Sequence, residues 1–346
     1  ALYLLPVVMS PASSIPGGFR DAYSILWQVW WYGQGPDQDG SSLFFTTHHA
    51  FPGGEQYFTY QNIVFYIPGA LLSKVVGSVA ATNILCLVSL ALVGYGAFLF
   101  LREIHGSPSG AAAGALLAMT CSFVTVSIHS GIYYLLASAG LTFLFLFSAS
   151  RARTGGRWRQ WIITGLLLSM VALTSGYCLL VAVITGIFLI WGLPVKNRER
   201  KNRAITGPLL ACLLAGLIML VPYGLMLWGS GSKELSDAAT FRKFTASWYH
   251  LVNRPGKTYS GAAGVDGQYL VNHVGCLVLL LALIGLFYPK QGTTKNTVMA
   301  AILALFWILV ATGSIPIVTA ILGRIGMRNI HRYLLGAFIC LIWLAA

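Results

Sequence analysis

Residues 79–101, VAATNILCLVSLALVGYGAFLFL, decide the class of fold, because they contain no Asp, Glu, Lys or Arg and lead directly into the basic turn REIHG. An apolar helix of about 20 residues crosses roughly 30 Å of hydrocarbon. Similar runs recur along the whole chain, in which 57% of the 346 residues are hydrophobic and 9% are charged, with a mean hydropathy of +0.74. Soluble domains carry about 25% charged residues. The composition therefore predicts an all-α polytopic membrane protein and leaves no soluble domain of useful size.

The apolar runs predict about ten spans, the first of which is the fragment ending near residue 9. The others lie at about 79–101, 108–128, 131–149, 160–175, 177–194, 205–228, 273–288, 297–313 and 332–346. The chain opens and stops inside apolar runs, so we expect residues 1–346 to be a single transmembrane domain of a longer protein.

Positive charge concentrates in four connections between these runs. They are REIHGS at 102–107, RARTGGRWRQ at 151–160, KNRERKNR at 196–203 and KQGTTKN at 290–296. Together they hold more than half of the 22 Lys and Arg residues but only Glu103 and Glu199 of the nine acids. The positive-inside rule predicts that these connections are cytoplasmic and that the chain is a multi-pass protein of the plasma or inner membrane.

Alternation of the spans then places residues 11–78, 229–272 and 314–331 on the outer side. Most of the acids fall in these outer segments. The net charge of +13 arises mainly from the short cytoplasmic loops, as the topology requires, so we expect no nucleic-acid partner.

Residues 62–76, NIVFYIPGALLSKVV, are too few for a full span and are interrupted by Pro68. We interpret them as an interfacial or re-entrant helix. A full span here would move the basic loops at 151–160 and 196–203 to the outside, against the charge bias.

Residues 16–32, PGGFRDAYSILWQVWWY, predict an amphipathic helix in the first outer loop. Ile25, Leu26, Val29 and Trp30 follow helical spacing, and the aromatic residues suit the headgroup level of a membrane. Asp21 comes at the start of this helix, where the helix dipole keeps a carboxylate ionised. Asp21 is a candidate base or ligand, and the alternative is a simple N-cap.

Other outer residues are candidates for binding a substrate or a metal, and each also has a purely structural interpretation. Asp37 and Asp39 have a spacing that suits a divalent cation, although GPDQDG also reads as a turn. The remaining candidates line a substrate cavity or belong to ordinary loops: His48, His49, Glu55, Tyr57, Tyr60, His129 and Tyr133. Arg328 and Arg332, four residues apart, would share one face of a helix and suit a phosphate, as does Lys74, and the alternative is interfacial anchoring.

The order of these features resembles the GT-C superfamily of membrane glycosyltransferases, and its poorly characterised branch more than the protein mannosyltransferases. The resemblance rests on a first span, GGFRDAYSILWQVWW, FFTTHHAFPGGEQYFTYQNIVFYIPGALL, a span ending in LREIHG, LTSGYCLLVAVITGIFL, and GMRNIHRYLL before a late span. It implies a helical bundle with amphipathic helices in the first extracytoplasmic loop and an active site at that face.

The resemblance also implies inverting transfer of a sugar from a polyprenyl-phosphate donor, with Asp21 as the general base. Arg328, Arg332 and Lys74 would hold the donor phosphate. Many members carry two adjacent acids here, whereas Arg20 precedes Asp21 and Ala22 follows it. No cofactor is implied beyond a possible divalent metal. The expected partners are membrane lipid, the lipid-linked sugar and other membrane subunits.

Two further classes stay open. One is a non-catalytic GT-C-like subunit or scaffold, which the lack of a second acid adjacent to Asp21 favours. The other is a transporter of a lipid-linked substrate, which the absence of charged residues inside the long spans disfavours.

The topology predicts opposite accessibility for two loop positions. In a variant whose native cysteines are replaced, a membrane-impermeant thiol reagent added outside should label Ser42→Cys but not Asn197→Cys. The same reagent added after permeabilisation should label both. Labelling of position 197 alone from outside would reverse the topology and every outer site with it.

Overall fold

The computed structural model describes thirteen stretches of the chain. They are residues 8–16, 20–34, 45–46, 55–56, 62–155, 157–192, 206–220, 281–282, 284, 294–311, 314–315, 318 and 334–345. The helices are α1 Arg20–Gln34, α2 Ile63–Val76, α3 Ser78–His105, α4 Pro108–Thr120, α5 Ser122–His129, α6 Tyr133–Gly155, α7 Trp158–Thr174, α8 Gly176–Gly192, α9 Thr206–Leu220, α10 Thr294–Ala311 and α11 Leu334–Ala345. The strands β1 Phe45–Thr46 and β2 Glu55–Gln56 form one short antiparallel pair.

Three stretches of the described chain are long and apolar enough to cross a membrane: Ser78–His105, Pro108–Ile128 and Tyr133–Gly155. Several shorter helices, α2 and α9 among them, are apolar as well. These helices confirm the prediction of a helical membrane protein. The count of about ten spans stays a prediction, since three stretches of the described residues qualify by length and composition.

The contact between α3 and α6 forms the centre of the bundle. A Cβ atom on Gly140 of α6 would lie 2.8 Å from the backbone carbon of Leu92, and one on Gly96 of α3 would lie 2.8 Å from the carbonyl oxygen of Gly140. Glycines at such positions let two helix backbones approach closely, which is how helices gain packing contacts in lipid. In α6, 83% of the most apolar window is buried, against 44% in α3, so α6 is the more central helix.

Small and hydroxyl residues also join α6, α7 and α9. The Ser148 and Thr164 hydroxyls are 2.8 Å apart across the α6–α7 contact. Gly165 of α7 lies against Ala211 of α9. Paired hydroxyls and small residues satisfy polar groups while keeping the helices close.

Contacts at the helix ends gather the basic turns on one side of the bundle. Glu103 pairs with Arg151 at 3.9 Å, which joins the ends of α3 and α6. His105 Nε2 lies 2.9 Å from the carbonyl oxygen of Trp343, which brings the end of α11 next to the end of α3. We call residues 102–108 and 151–159 the basic end. Their proximity agrees with the prediction that both connections lie on one side.

One predicted span is divided. Residues 108–128 were expected to form a single helix, but extended backbone at Cys121 (φ −64°, ψ 158°) separates α4 from α5. Hydroxyls on each side bond to nearby backbone carbonyls, Thr120 to Leu116 at 2.7 Å and Thr125 to Cys121 at 3.2 Å. Hydroxyl bonds of this kind also occur inside continuous helices of this structure, as at Thr142, and residues 119–123 contain neither Pro nor Gly, so no local sequence signal marks the break.

The α3–α6 contact predicts a difference between two glycine substitutions. Gly140→Ala should lower the free energy of unfolding by about 1–3 kcal/mol, because a methyl group meets backbone that cannot yield. Gly216→Ala, whose Cβ would meet nothing within 4 Å, should be neutral or gain up to about 1 kcal/mol from helix propensity. Thermal unfolding in detergent compares the two, and equal melting temperatures would contradict the packing described.

Candidate functional site

Helix α1 packs along one face, as its sequence predicts. Ala22, Ile25, Val29 and Gly33 are buried and recur at helical spacing, whereas Tyr23 is 64% exposed. The predicted start of the helix near Asp21 is confirmed for the backbone; the structure does not describe the Asp21 side chain.

The aromatic residues of α1 do not all face a membrane surface. Trp31 is fully buried and stacks on Trp27 with ring centroids 5.6 Å apart and ring planes 5° apart. Tyr32 stacks on Tyr66 of α2 at 5.8 Å. The expectation that Trp31 sits at the headgroup level is therefore wrong for this residue, because its ring packs inside the protein.

The second half of α1 rests on α2. A Cβ on Gly33 would lie 2.5 Å from the Ser73 hydroxyl, and one on Gly69 would lie 3.1 Å from Val29. These glycines allow the two helices to touch closely. Helix α1 is thus fixed along its length and not only at its ends.

Helices α2 and α3 fold back on each other about Gly77, whose φ of 81° suits glycine. Gly69 lies against Leu85, and both are equally far along the chain from Gly77. With 14 residues, α2 is about 21 Å long, too short for a full span. Its bounds match the helix expected over 62–76, and its re-entrant or interfacial placement stays a prediction.

Lys74 is exposed in the last turn of α2, where a cation complements the helix dipole. Its neighbour Ser73 meets Gly33 near the end of α1, whereas Asp21 begins α1, roughly 18 Å away along the helix axis. The structure therefore places Lys74 and Asp21 near opposite ends of α1 and does not bring them together.

The N-terminal turn of α1 docks on the turn between α5 and α6. Gly131 has φ 71°, and a Cβ there would lie 2.5 Å from the backbone nitrogen of Ala22. Asp21 directly precedes Ala22, and His129 ends α5 two residues before Gly131. The backbone thus brings a carboxylate residue and an imidazole residue into one corner. We call this corner, with residues 11–16 and the first two turns of α3, the first-loop end.

Two buried side chains bond to residues 11–16 at this end. The Asn83 side-chain amide donates hydrogen bonds to the carbonyl oxygens of Pro11 at 2.7 Å and Ser14 at 2.6 Å. The Tyr133 hydroxyl donates to the carbonyl oxygen of Pro16. Tyr133 was expected to line a substrate cavity. Its side chain is fully buried, and its hydroxyl is bonded to the backbone of Pro16.

Sequence reasoning missed Asn83. The signal that marks it is an uncharged amide inside an apolar run, since such a group needs hydrogen-bond partners where water is excluded.

Several predicted site residues lie outside the described residues, and their placement is untested: Asp37, Asp39, His48, His49, Tyr57, Tyr60, Arg328 and Arg332. Glu55 lies in β2, and for Glu55 and His129 only the backbone is described. Among the residues that the structure describes, no group of three or more His, Cys, Asp and Glu is arranged to hold a metal ion.

An apolar groove of about 340 Å³ lies elsewhere, between α7, α8 and α9. Leu168, Leu179, Cys212 and Met219 are among its walls, and no predicted site residue lines it. It is separate from the first-loop end.

No protein-family model matches this chain, and no curated protein matches its sequence.

The contact between Gly131 and Ala22 predicts that a substitution at Gly131 disturbs α1 by more than backbone strain alone would. Gly131→Ala and Gly106→Ala both place Ala at φ 71°, which costs about 1–2 kcal/mol. A Cβ at Gly106 meets nothing within 4 Å, whereas one at Gly131 displaces Ala22. We expect faster tryptic cleavage after Arg20 in Gly131→Ala only. Equal cleavage rates in the two variants would mean that α1 does not depend on this contact.

Proposed function

We propose that this chain is a GT-C-type glycosyltransferase, which moves a sugar from a polyprenyl-phosphate donor to an acceptor at the extracytoplasmic face of the plasma or inner membrane. The proposal takes the first-loop end as that face and the basic end as the cytoplasmic side, in keeping with the positive-inside rule. It includes a bundle of about ten spans, for which three stretches of the described residues qualify by length and composition.

The observation that carries the proposal is the docking of α1 at Gly131. The resemblance implies that the first outer loop supplies an acidic residue. The contact of Ala22 with Gly131 holds the backbone of Asp21 against the bundle, beside the end of α5. A base needs such a fixed position, because proton transfer requires hydrogen-bond reach to the acceptor hydroxyl.

The chemistry needs two kinds of group. Asp21 takes the proton of the acceptor hydroxyl as that oxygen attacks the sugar carbon, and the bond from that carbon to the donor phosphate breaks. The departing phosphate carries the negative charge, which cations stabilise. Arg328 and Arg332 are assigned this role because two guanidinium groups bind phosphate by parallel hydrogen bonds. Lys74 is the weaker candidate, since it lies near the far end of α1 from Asp21.

The other outer candidates are assigned to the substrate cavity: His48, His49, Glu55, Tyr57, Tyr60, and His129 beside the α1 corner. A divalent metal at Asp37 and Asp39 is a secondary element of the proposal. The partners are membrane lipid, the lipid-linked sugar and other membrane subunits.

A second function, that of a non-catalytic subunit or scaffold, is favoured by one observation. Tyr133 is fully buried and bonded to the chain, so at this position the first-loop end is filled by a side chain. A scaffold would have its whole outer cavity filled in this way or by a partner. An enzyme would keep a cavity with Asp21 at its floor and a lateral opening to lipid. Transport of a lipid-linked substrate is the third and least supported function.

The proposal predicts that Asp21→Asn loses activity while the protein stays folded. Loss of a general base slows reactions by about 10²–10⁴-fold, and we expect a loss in this range for sugar transfer from a polyprenyl-phosphate donor. The assay uses the full chain in lipid nanodiscs with a radiolabelled donor. Glu234→Gln, which neutralises another outer carboxylate with no proposed role, serves as the matched control and should keep wild-type turnover.

Unchanged turnover in Asp21→Asn, with wild-type melting temperature and membrane insertion, would remove the catalytic assignment. Absence of transfer by the wild-type chain across donor sugars would favour the scaffold.

A further inference from the structure

Residues 11–16 present three carbonyl oxygens to side chains of two different helices. Those of Pro11 and Ser14 accept from the Asn83 amide of α3, and that of Pro16 accepts from the Tyr133 hydroxyl of α6. The turn also has internal bonds, from the Ser13 and Ser14 amides to the carbonyl oxygen of Ser10. The side chains therefore attach a preformed turn to the bundle.

Both donors are well suited to this attachment. Asn83 is 1% exposed and Tyr133 is fully buried, so water has little access to either donor, although the acceptor residue Pro11 is itself exposed. Hydrogen bonds are stronger in such surroundings, and a carbonyl left without its donor there is costly. An amide offers two N–H donors from one nitrogen, which is what the two neighbouring carbonyls require.

The attachment bears directly on Asp21. Residues 17–19 separate Pro16 from the start of α1, and three residues span at most about 11 Å when extended. On its other side, Asp21 adjoins Ala22, which rests on Gly131. Asp21 is thus held between an anchored Pro16 and an anchored Ala22.

We propose that Asn83 and Tyr133 are positioning residues that hold the N-terminus of α1, and with it Asp21, in place through their hydrogen bonds to residues 11–16. The effect on catalysis rests on the proposed glycosyltransferase function, whereas the effect on α1 does not. Neither side chain needs to touch a substrate for this role.

The first measurement is independent of activity. Hydrogen–deuterium exchange of the full chain in nanodiscs reports the opening of α1. In Asn83→Leu and Tyr133→Phe, amides of residues 12–15 and 20–26 should exchange about tenfold faster or more, because local opening costs less free energy. Amides of the middle of α3 and α6 should keep wild-type rates.

Two matched controls lie on the same two helices. Thr82 and Thr142 are fully buried on α3 and α6, and their hydroxyls donate to carbonyls of their own helices, those of Ser78 and Ser138, at 2.8 Å. Thr82→Val and Thr142→Val remove a buried hydrogen bond without touching residues 11–16. Both should leave α1 exchange at wild-type rates. Faster α1 exchange in the controls as well would mean general destabilisation and would overturn the inference.

The second measurement separates positioning from substrate binding. In the transfer assay, Asn83→Leu and Tyr133→Phe should lower kcat about 10- to 100-fold, as misplacement of a reacting group does, with KM for the donor within about twofold of wild type. A rise in KM with unchanged kcat would instead make them binding residues and overturn the positioning role.

The outcomes keep the two proposals distinct. If Asp21→Asn retains full turnover but the two variants loosen α1, the glycosyltransferase assignment fails and the attachment stands. If Asp21→Asn is inactive but α1 exchange is unchanged in both variants, the positioning inference fails alone. Should Asn83→Leu not reach the membrane, Tyr133→Phe, which removes only a hydroxyl, decides the result.

Discussion

The close approach of α3 and α6 at Gly140 is the contact on which the rest of the described structure depends. Because the two backbones touch, the N-terminal turns of α3 and α6 are held in fixed positions relative to each other. Asn83 and Tyr133 project from those turns, and together they reach residues 11–16. A wider separation would leave at least one of these carbonyl groups without a donor in a place that excludes water.

From this contact follows the placement of α1. The helix contacts other parts of the protein along its length. The α5–α6 turn contacts Ala22, α2 contacts Val29 and Gly33, and the Tyr32 ring of α1 stacks on Tyr66 of α2. An amphipathic helix in a membrane interface is often held by lipid alone. Here protein contacts hold it, which is the arrangement a catalytic carboxylate needs and also one that a structural subunit would tolerate.

Sequence patterns predicted the elements better than their contacts. The spans at 79–101 and 131–149 correspond to α3 and α6, because uncharged apolar runs demand a helix whatever their neighbours are. The buried face of α1 at Ile25 and Val29 was likewise predicted by the helical spacing of these residues. The burial of Trp31 and the partners of Asn83 were not, because both depend on residues that only the fold brings close, and no Pro or Gly marks the break at Cys121.

The hydrogen bonds of residues 11–16 also impose an order of events during synthesis. The segment leaves the ribosome before its donors, which follow 69 to 117 residues later in the chain. At about 5–20 residues per second, Tyr133 is made roughly 6–23 s after Pro16. Until α3 and α6 have inserted and paired, the segment has no docking surface. Residues 11–16 therefore reach their bonded position only after Tyr133 of α6 has been made.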